Sequence, residues 1–263
     1  MKKFLSIILA GMMAISLAAC SSAPKTDEAA ATDMDYINGN GKMVIGYTIY
    51  EPMNYEEDGK LTGFDTEFAE AVCEKLGVEP EFVVIDWDNK FLELESKSID
   101  CIWNGMTITD EAKANASVSN PYVKNAQVVV VKADKAADIK SVEDLKGLSF
   151  AAEAGSAGEA AIKDNALDEN YVAAAAQTDA LLEVMSGSAD ACVIDITMAN
   201  AMTGEGTSYE SLTTALELTT EEYGIAFRKD SDVTAKVNDI MAELIADGTL
   251  PALAEKYSLT LAE

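Results

Sequence analysis

The sequence predicts an α/β fold of two lobes joined by two crossing strands, and three observations carry this prediction. From Lys42 onward, short β-branched runs alternate with helical patterns, which is typical of mostly parallel sheets. The apolar strand at 127–131 is followed by a new strand and helix series from Ile139. A second strand, at 222–227, ends that series. A chain that leaves one lobe and returns needs two such strands, and we expect the ligand cleft between the lobes.

Charge and composition exclude several classes of function. The 263 residues include 19 Lys plus Arg, 46 Asp plus Glu and no His, for a formal net charge of −27. Without imidazole there is no Ser-His-Asp or Cys-His catalysis and no His-ligated metal. Such acidity also repels nucleic acids and anionic lipid headgroups. Because 49% of the chain is apolar, we expect a folded globular protein.

The N-terminus has the pattern of a secretory signal peptide at 1–19. Lys2 and Lys3 precede an apolar run at 4–17, which is short for a bilayer core of about 30 Å. The residues Leu-Ala-Ala before Cys20 resemble the lipobox of bacterial lipoproteins. That resemblance implies cleavage before Cys20 and a diacylglyceryl group, with acyl chains such as palmitate, on its sulfur. The alternative is an ordinary signal peptide with a chance cysteine.

Residues 20–41 are predicted to be a lipid anchor and flexible tether. The segment 21–35 is mostly Ala, Ser, Thr, Asp and Pro, so burial cannot offset its ordering entropy. The remaining cysteines, Cys73, Cys101 and Cys192, each lie among apolar residues. We expect them to be buried free thiols.

Strands are predicted at 43–47, 81–85, 99–103, 127–132, 148–152, 171–175, 189–194 and 223–228. Asp65 is predicted as the N-cap of a helix that Gly77 ends. A capping box begins at Ser141, and Gly147 ends that helix. A closing helix is expected at 232–246.

Four segments together resemble the family 3 solute-binding proteins of polar amino acid ABC transporters. They are GKLTGFD at 59–65, DCIWNGMTIT at 100–109, the capping segment at 141–147 and SADA at 188–191. The resemblance covers 42–258. It implies a type II periplasmic-binding-protein fold of two Rossmann-like lobes on a two-strand hinge, which closes on one ligand. The lobes would comprise 42–128 with 225–263, and 129–224.

The resemblance implies aromatic contacts to the ligand from the first lobe. Tyr50 and Trp87 follow strands, and family members sandwich the ligand side chain between two aromatics there. The alternative is that each aromatic fills the core. Tyr47 stands where relatives often carry an Asp that contacts the ligand.

The ligand's polar groups are expected to meet two turns. In relatives, the backbone and Thr hydroxyl of a Gly-x-Thr stretch bind the α-carboxylate and amino group, which here is the segment Asn104, Gly105, Met106 and Thr107. A simple turn is the alternative. In the second lobe, Ser156 and Ala157 open a helix whose N–H groups favour an anion.

Asp195 matches the family's partner of the ligand's α-ammonium, and a helix N-cap is its competing role. Glu153 would add negative charge nearby, unless it faces solvent. Relatives carry a carboxylate-binding Arg at the position of Ala112. Arg228 is the only Arg of the sequence and is poorly placed to substitute, whereas Lys113 could reach the cleft. An acidic, aromatic cleft without Arg favours a cationic or amine-bearing ligand.

The sequence therefore predicts a capture protein and not an enzyme. It would be a monomer, exported and lipid-anchored on the outer face of the bacterial cell membrane, that delivers its ligand to an ABC permease and its ATPase. We expect no metal, cofactor or nucleic acid partner. The alternatives are a sensory or adhesive lipoprotein that keeps the fold, and a dehydratase-type enzyme on the same fold. Against the enzyme, the sequence shows no poised acid–base pair.

Overall fold

The computed structural model describes residues 32–263. The predicted signal peptide, Cys20 and the first part of the predicted tether lie outside these residues. Within them, no helix has both the length and the apolar character needed to cross a bilayer.

Strands and helices alternate along most of the described chain. The strands are β1 Lys42–Tyr47, β2 Tyr55–Glu57, β3 Lys60–Thr62, β4 Glu79–Val84, β5 Cys101–Thr107, β6 Ser117–Val118, β7 Val123–Asn125, β8 Gln127–Lys132, β9 Phe150–Glu153, β10 Tyr171–Ala174, β11 Ala191–Asp195, β12 Leu212–Glu217 and β13 Glu221–Phe227. The helices are α1 Asp33–Asn40, α2 Phe64–Leu76, α3 Lys90–Glu95, α4 Asp110–Asn115, α5 Ala133–Ala136, α6 Ala157–Asp164, α7 Gln177–Ser186, α8 Ile196–Met202, α9 Val233–Ala246 and α10 Thr249–Lys256. Single 3-10 turns occupy Trp87–Asn89, Val142–Leu145 and Asp168–Asn170.

Two large sheets organise the described residues, with β2 and β3 as a separate antiparallel pair, and both large sheets mix parallel and antiparallel strands. The first has the order β4-β1-β5-β13-β6, with β7 also paired to β13. The second has the order β10-β9-β11-β8-β12. In each, three neighbouring strands are parallel and the strand beside them is antiparallel. The predicted α/β class is confirmed, and the carboxyl ends of the parallel strands supply one loop-bearing edge per sheet.

The chain changes sheets at two short connections. It leaves the first sheet after β7 and enters the second at β8, with only Ala126 between them. It returns between β12 and β13. The strands predicted to cross are thus each confined to one sheet, because β8 pairs with β11 and β12 whereas β13 pairs with β5. The lobe boundaries stay a prediction.

The apolar run of β8 is explained by burial on both faces of the second sheet. Val128 and Val130 join one hydrophobic cluster, and Val129 and Val131 join another. Alternate residues of a strand point to opposite faces, so a strand covered on both sides needs apolar residues at every position.

Residues 33–40 form a helix, so the prediction of a flexible tether through residue 41 is wrong for this part. Thr32 and Asp35 make a reciprocal capping box, and Met34 and Ile37 are buried. These apolar residues, spaced for one helix face, gain enough burial to order the segment. The residues before this helix are mostly small and polar, so the composition of the whole segment did not indicate a helix.

Several local predictions can be judged directly. Gly77 ends α2 in a left-handed conformation, and the capping box at Ser141 is present, as predicted. The prediction of Asp65 as N-cap is wrong, because Gly63 holds that position and the Asp65 carboxylate is buried. Burial of the free thiols is confirmed for the three described cysteines. It raises the pKa of Cys73 to about 12.

Candidate functional site

A cavity of about 310 Å³ lies between the two sheets, at the carboxyl ends of parallel strands from each. From the first sheet it is lined by the turn at Trp87, the end of β5 and the start of α4. From the second it is lined by the end of β9, the starts of α6 and α7, and Asp195 at the end of β11. Loops at such an edge can change without disturbing the sheet, which makes it the usual place for a ligand in open α/β sheets.

Most residues predicted to contact a ligand meet at this cavity. Those that line it are Trp87, Asn104, Gly105, Met106, Thr107, Glu153, Ser156, Ala157 and Asp195. Tyr47 and Tyr50 do not. Tyr47 packs edge-on against Phe82, and the buried Tyr50 hydroxyl contacts Thr197 and Tyr223. The Tyr50 ring instead packs closely against β5. A Cβ added at Gly105 would lie only 2.7 Å from this ring.

The polar groups of β5 are largely satisfied within the protein. The Gly105 N–H donates to Asp65 at 2.6 Å, and the Thr107 hydroxyl donates to Glu221 at 2.7 Å. The Asn104 amide donates to the Thr48 carbonyl. These donors were expected to serve the ligand. Here they hold the cavity wall, because an unpaired buried donor would be costly.

The start of α6 is also occupied by the protein's own anion. The Ser156 hydroxyl accepts from the Glu159 N–H, and the Glu159 carboxylate accepts from the Gly155 N–H at 2.7 Å. Glu159 thus holds a carboxylate beside the N-terminus of α6, where the helix dipole favours it. Binding of a ligand anion at this helix stays a prediction.

Asp195 has a dense set of donors. Its carboxylate accepts from Tyr223 at 2.8 Å and Gln127 at 2.9 Å, and it also contacts Asn125 and Gln177. Burial and the nearby Glu221 raise its pKa. Although Asp195 holds the N-cap position of α8, its side chain makes no capping bond. It thus ties the end of β11 to the connections between the sheets.

Glu153 is buried, not facing solvent, and one of its oxygens has no partner among the described residues. It is 2% exposed, and Oε1 accepts no hydrogen bond there. Burial raises its pKa to about 8. A buried carboxylate oxygen without a donor is a strong acceptor for a cationic group brought in from outside.

Acidic side chains outnumber basic ones in the cavity lining. The acids are Asp110, Glu111, Glu153, Asp164 and Asp195. Ala112 also lines the cavity and is fully buried. Lys113 is exposed and lies outside the lining, while Arg228 is bound to Asp33 and Asp100 elsewhere.

Several lining residues were missed from the sequence, among them Gln177 and Lys90. Gln177 begins α7 directly beyond β10, so its place at the carboxyl edge of a parallel strand was a usable signal. Lys90 follows Trp87 by three residues, and one turn places both on the same side.

Comparisons with known proteins agree on one family. Residues 43–260 match the model of the bacterial extracellular solute-binding proteins, family 3. The L-cystine-binding protein TcyJ of Escherichia coli K12 is 32% identical, over 95% of this chain and 94% of its own. The arginine-binding extracellular protein ArtP of Bacillus subtilis is 30% identical, over 98% of each.

A solved structure supports the same relationship. The ancestral amino acid-binding protein AncCDT-1, described as a precursor of cyclohexadienyl dehydratase, superposes with a TM-score of 0.79 and 33% identity. The alignment covers 85% of this chain and 98% of that one.

Proposed function

This chain belongs to the family 3 bacterial extracellular solute-binding proteins, and from that premise we propose that it captures an amino acid or related amine-bearing solute for an ABC importer. The fold is that of the type II periplasmic amino acid-binding proteins. In this proposal the solute sits in the cavity between the sheets and passes to a separate permease driven by its ATPase.

The observation that carries the proposal is the buried Glu153 carboxylate, whose Oε1 accepts no hydrogen bond from the described residues, in a cavity shared by both sheets. Because the other lining acids outnumber the basic groups, the cavity is suited to a cation or an amine. We assign the ligand's cationic group to Glu153 and its aliphatic stem to the Trp87 ring. Asp195, although well supplied with donors, lies close enough to the cavity to add negative charge.

The protein has features that support binding over catalysis. The curated relatives are named as binding proteins. Even the ancestral precursor of a dehydratase is described as amino acid-binding. Glu153 and Asp195 have raised pKa values, yet burial explains both. No described observation favours the sensory or adhesive alternative.

Export and lipid anchoring are part of the proposal and rest on the N-terminal sequence. Its test is metabolic labelling with palmitate in a bacterial host, comparing the full chain with Cys20→Ser. We expect label on the natural chain alone. Equal label on both, or label on neither, contradicts the anchor but leaves solute capture standing.

Solute capture is tested by calorimetric titration of purified protein, refolded after removal of any bound solute. The panel comprises L-arginine, L-lysine, L-cystine, L-glutamine and L-glutamate. We expect binding of the cationic or diamino members and weak or no binding of L-glutamate. The variant Glu153→Gln should bind the same members more weakly. The control Glu169→Gln, at an exposed site, should bind them as tightly as the natural protein does. Tight binding of L-glutamate, or of no member, contradicts the proposal.

A further inference from the structure

The cavity contains a single basic side chain among its lining residues within 32–263, and that residue is Lys90. Five acids share the lining with it. A free amino acid carries a carboxylate as well as an ammonium group. In so acidic a cavity that carboxylate needs a cation, since an unpaired anion would be repelled by its neighbours.

Lys90 is held in a built site. It is 7% exposed, and its ammonium lies 5.1 Å from the ring centroids of both Trp87 and Phe91. It donates to the Trp87 carbonyl at 3.1 Å and to the Gly155 carbonyl at 2.8 Å. Trp87 belongs to the turn after β4, whereas Gly155 follows β9 of the other sheet. One ammonium therefore contacts both sides of the cavity.

The remaining hydrogen-bonding capacity of Lys90 is directed toward a ligand. An ammonium has three N–H donors, and two are used by these carbonyls. Burial lowers the pKa of Lys90, while the nearby carboxylates of Glu111 and Glu153 oppose that shift. A ligand carboxylate would give the ammonium a direct anionic partner, which the contacts among described residues do not provide.

We propose that Lys90 binds the α-carboxylate of an amino acid ligand with its third N–H, and so joins the ligand to both sheets. This inference rests on the proposed function, because it requires an amino acid in the cavity. It makes Lys90 a specificity-determining residue. Solutes that carry a carboxylate next to an amine are favoured over the same amines without it.

The test removes the two partners of the proposed contact, the ligand carboxylate and the Lys90 ammonium, one at a time. Dissociation constants are measured for L-arginine and for agmatine, which has the same guanidinium and chain but no carboxylate, in the natural protein and in Lys90→Met. L-cystine and cystamine form a second such pair. Weak amines are measured by displacement of the bound amino acid. The Lys113→Met variant, at an exposed lysine outside the cavity, is the matched control.

We expect Lys90→Met to weaken amino acid binding by about ten-fold or more, the range of a hydrogen bond to a charged group. The matching amine should lose no affinity, because it has no carboxylate for Lys90 to contact and the variant removes a cation from its surroundings. Lys113→Met should change neither. Lys90→Arg, which keeps a cation, should retain much of the preference for the amino acid.

Other results overturn the inference in distinguishable ways. If Lys90→Met loses the same affinity for the amino acid and for the matching amine, Lys90 only connects the two sheets and does not bind the ligand carboxylate. An unchanged amino acid affinity in Lys90→Met excludes the contact, whether or not the amine binds. If Lys90→Met does not fold, Lys90→Gln keeps donors for both carbonyls without the charge and gives the same comparison. Failure of the natural protein to bind any amino acid contradicts the proposed function itself.

Discussion

Glu153 combines deep burial with an ionisable group, which links solute binding to pH at the scale of one residue. Its pKa is raised from 4.5 to about 8, because burial disfavours the carboxylate. The Thr48 hydroxyl and the Lys90 ammonium lower this pKa, whereas the nearby Asp195 raises it further. The folded protein therefore keeps a proton on Glu153 at a pH where the unfolded chain has released it.

The first prediction follows from this difference in protonation. Between about pH 5 and pH 8 the folded state binds more protons than the unfolded chain, so the free energy of unfolding falls as pH rises. Glu153→Gln cannot ionise and should lose this part of the fall. We expect the variant to be more stable than the natural protein by about 2 kcal/mol or more at the upper end of this range. Urea unfolding without ligand, at several pH values, measures it.

The same ionisation has the opposite effect on binding. A cationic solute prefers the carboxylate form of Glu153, so L-arginine affinity should increase toward pH 8 in the natural protein and stay flatter in Glu153→Gln. Glu169→Gln, at an exposed acid, should follow the natural protein in both measurements. If Glu153→Gln has the same pH profile of stability as the natural protein, ionisation of Glu153 does not cause the pH dependence.

At single residues, the sequence located side chains better than it located their contacts. Gly105 and Thr107 line the cavity, yet their donors bind Asp65 and Glu221. Such pairings join residues 40 and 114 positions apart, and no local pattern encodes which acceptor folds beside a donor. Lys90 was missed for a related reason, since the Gly155 carbonyl that helps to hold it comes from the other sheet.

At the scale of elements, α1 is fastened to the first sheet by a buried ion pair network. Arg228 donates to Asp33 of α1 at 2.7 Å and to Asp100 at 2.8 Å, and also to the Ile99 carbonyl. All three charged side chains are at most 12% exposed. Arg228, directly after β13, therefore has a structural role away from the cavity.

The second prediction concerns this network. Arg228→Met leaves the buried Asp100 carboxylate without its cation, which should reduce the free energy of unfolding by about 3 to 5 kcal/mol. Lys229→Met, at the neighbouring exposed lysine, should change it by less than about 0.5 kcal/mol. Equilibrium denaturation of both variants measures the difference. If both variants lose a similar free energy of unfolding, the ion pair network contributes little to stability. The solute affinity of folded Arg228→Met should stay close to that of the natural protein.

The sequence predicted elements with a long hydrophobic pattern better than elements with a short one. The buried strand β8 was predicted with its observed ends, because four consecutive valines are hard to place elsewhere. The short strands β2, β3, β6 and β7 were missed, as was β12. Strands of two or three residues carry too few positions for an alternating pattern. Pairing with the distant β13 defines β6 and β7, whereas β2 and β3 are defined by pairing with each other.

At the scale of the whole molecule, two loops from different sheets meet over the cavity. The Gly155 turn, after β9, lies against Asp88 in the turn after β4. A Cβ on Gly155 would lie 2.7 Å from Asp88 Oδ1 and 2.8 Å from its Cα. Since one of these atoms is backbone, the contact cannot be relieved by a rotamer change alone. The contact between these two loops therefore requires glycine at position 155.

The third prediction uses this contact to separate closure from folding. Gly155→Ala should disfavour the arrangement in which the two loops meet over the cavity and weaken solute affinity by about ten-fold or more, because the clash with Asp88 arises only in that arrangement. X-ray scattering with saturating solute should show a more extended particle than the natural protein under the same conditions. Titration calorimetry gives the affinity.

Gly147→Ala is the matched control for this prediction. Gly147 also has a positive φ, +82° against +67° for Gly155, but an added Cβ there meets nothing within 4 Å. Both variants thus carry the backbone strain of alanine in a left-handed conformation, and both should melt at a lower temperature. Only Gly155→Ala should lose affinity. If the two variants bind solute equally well, the loops do not control closure, and ligand contacts within one sheet must supply the affinity.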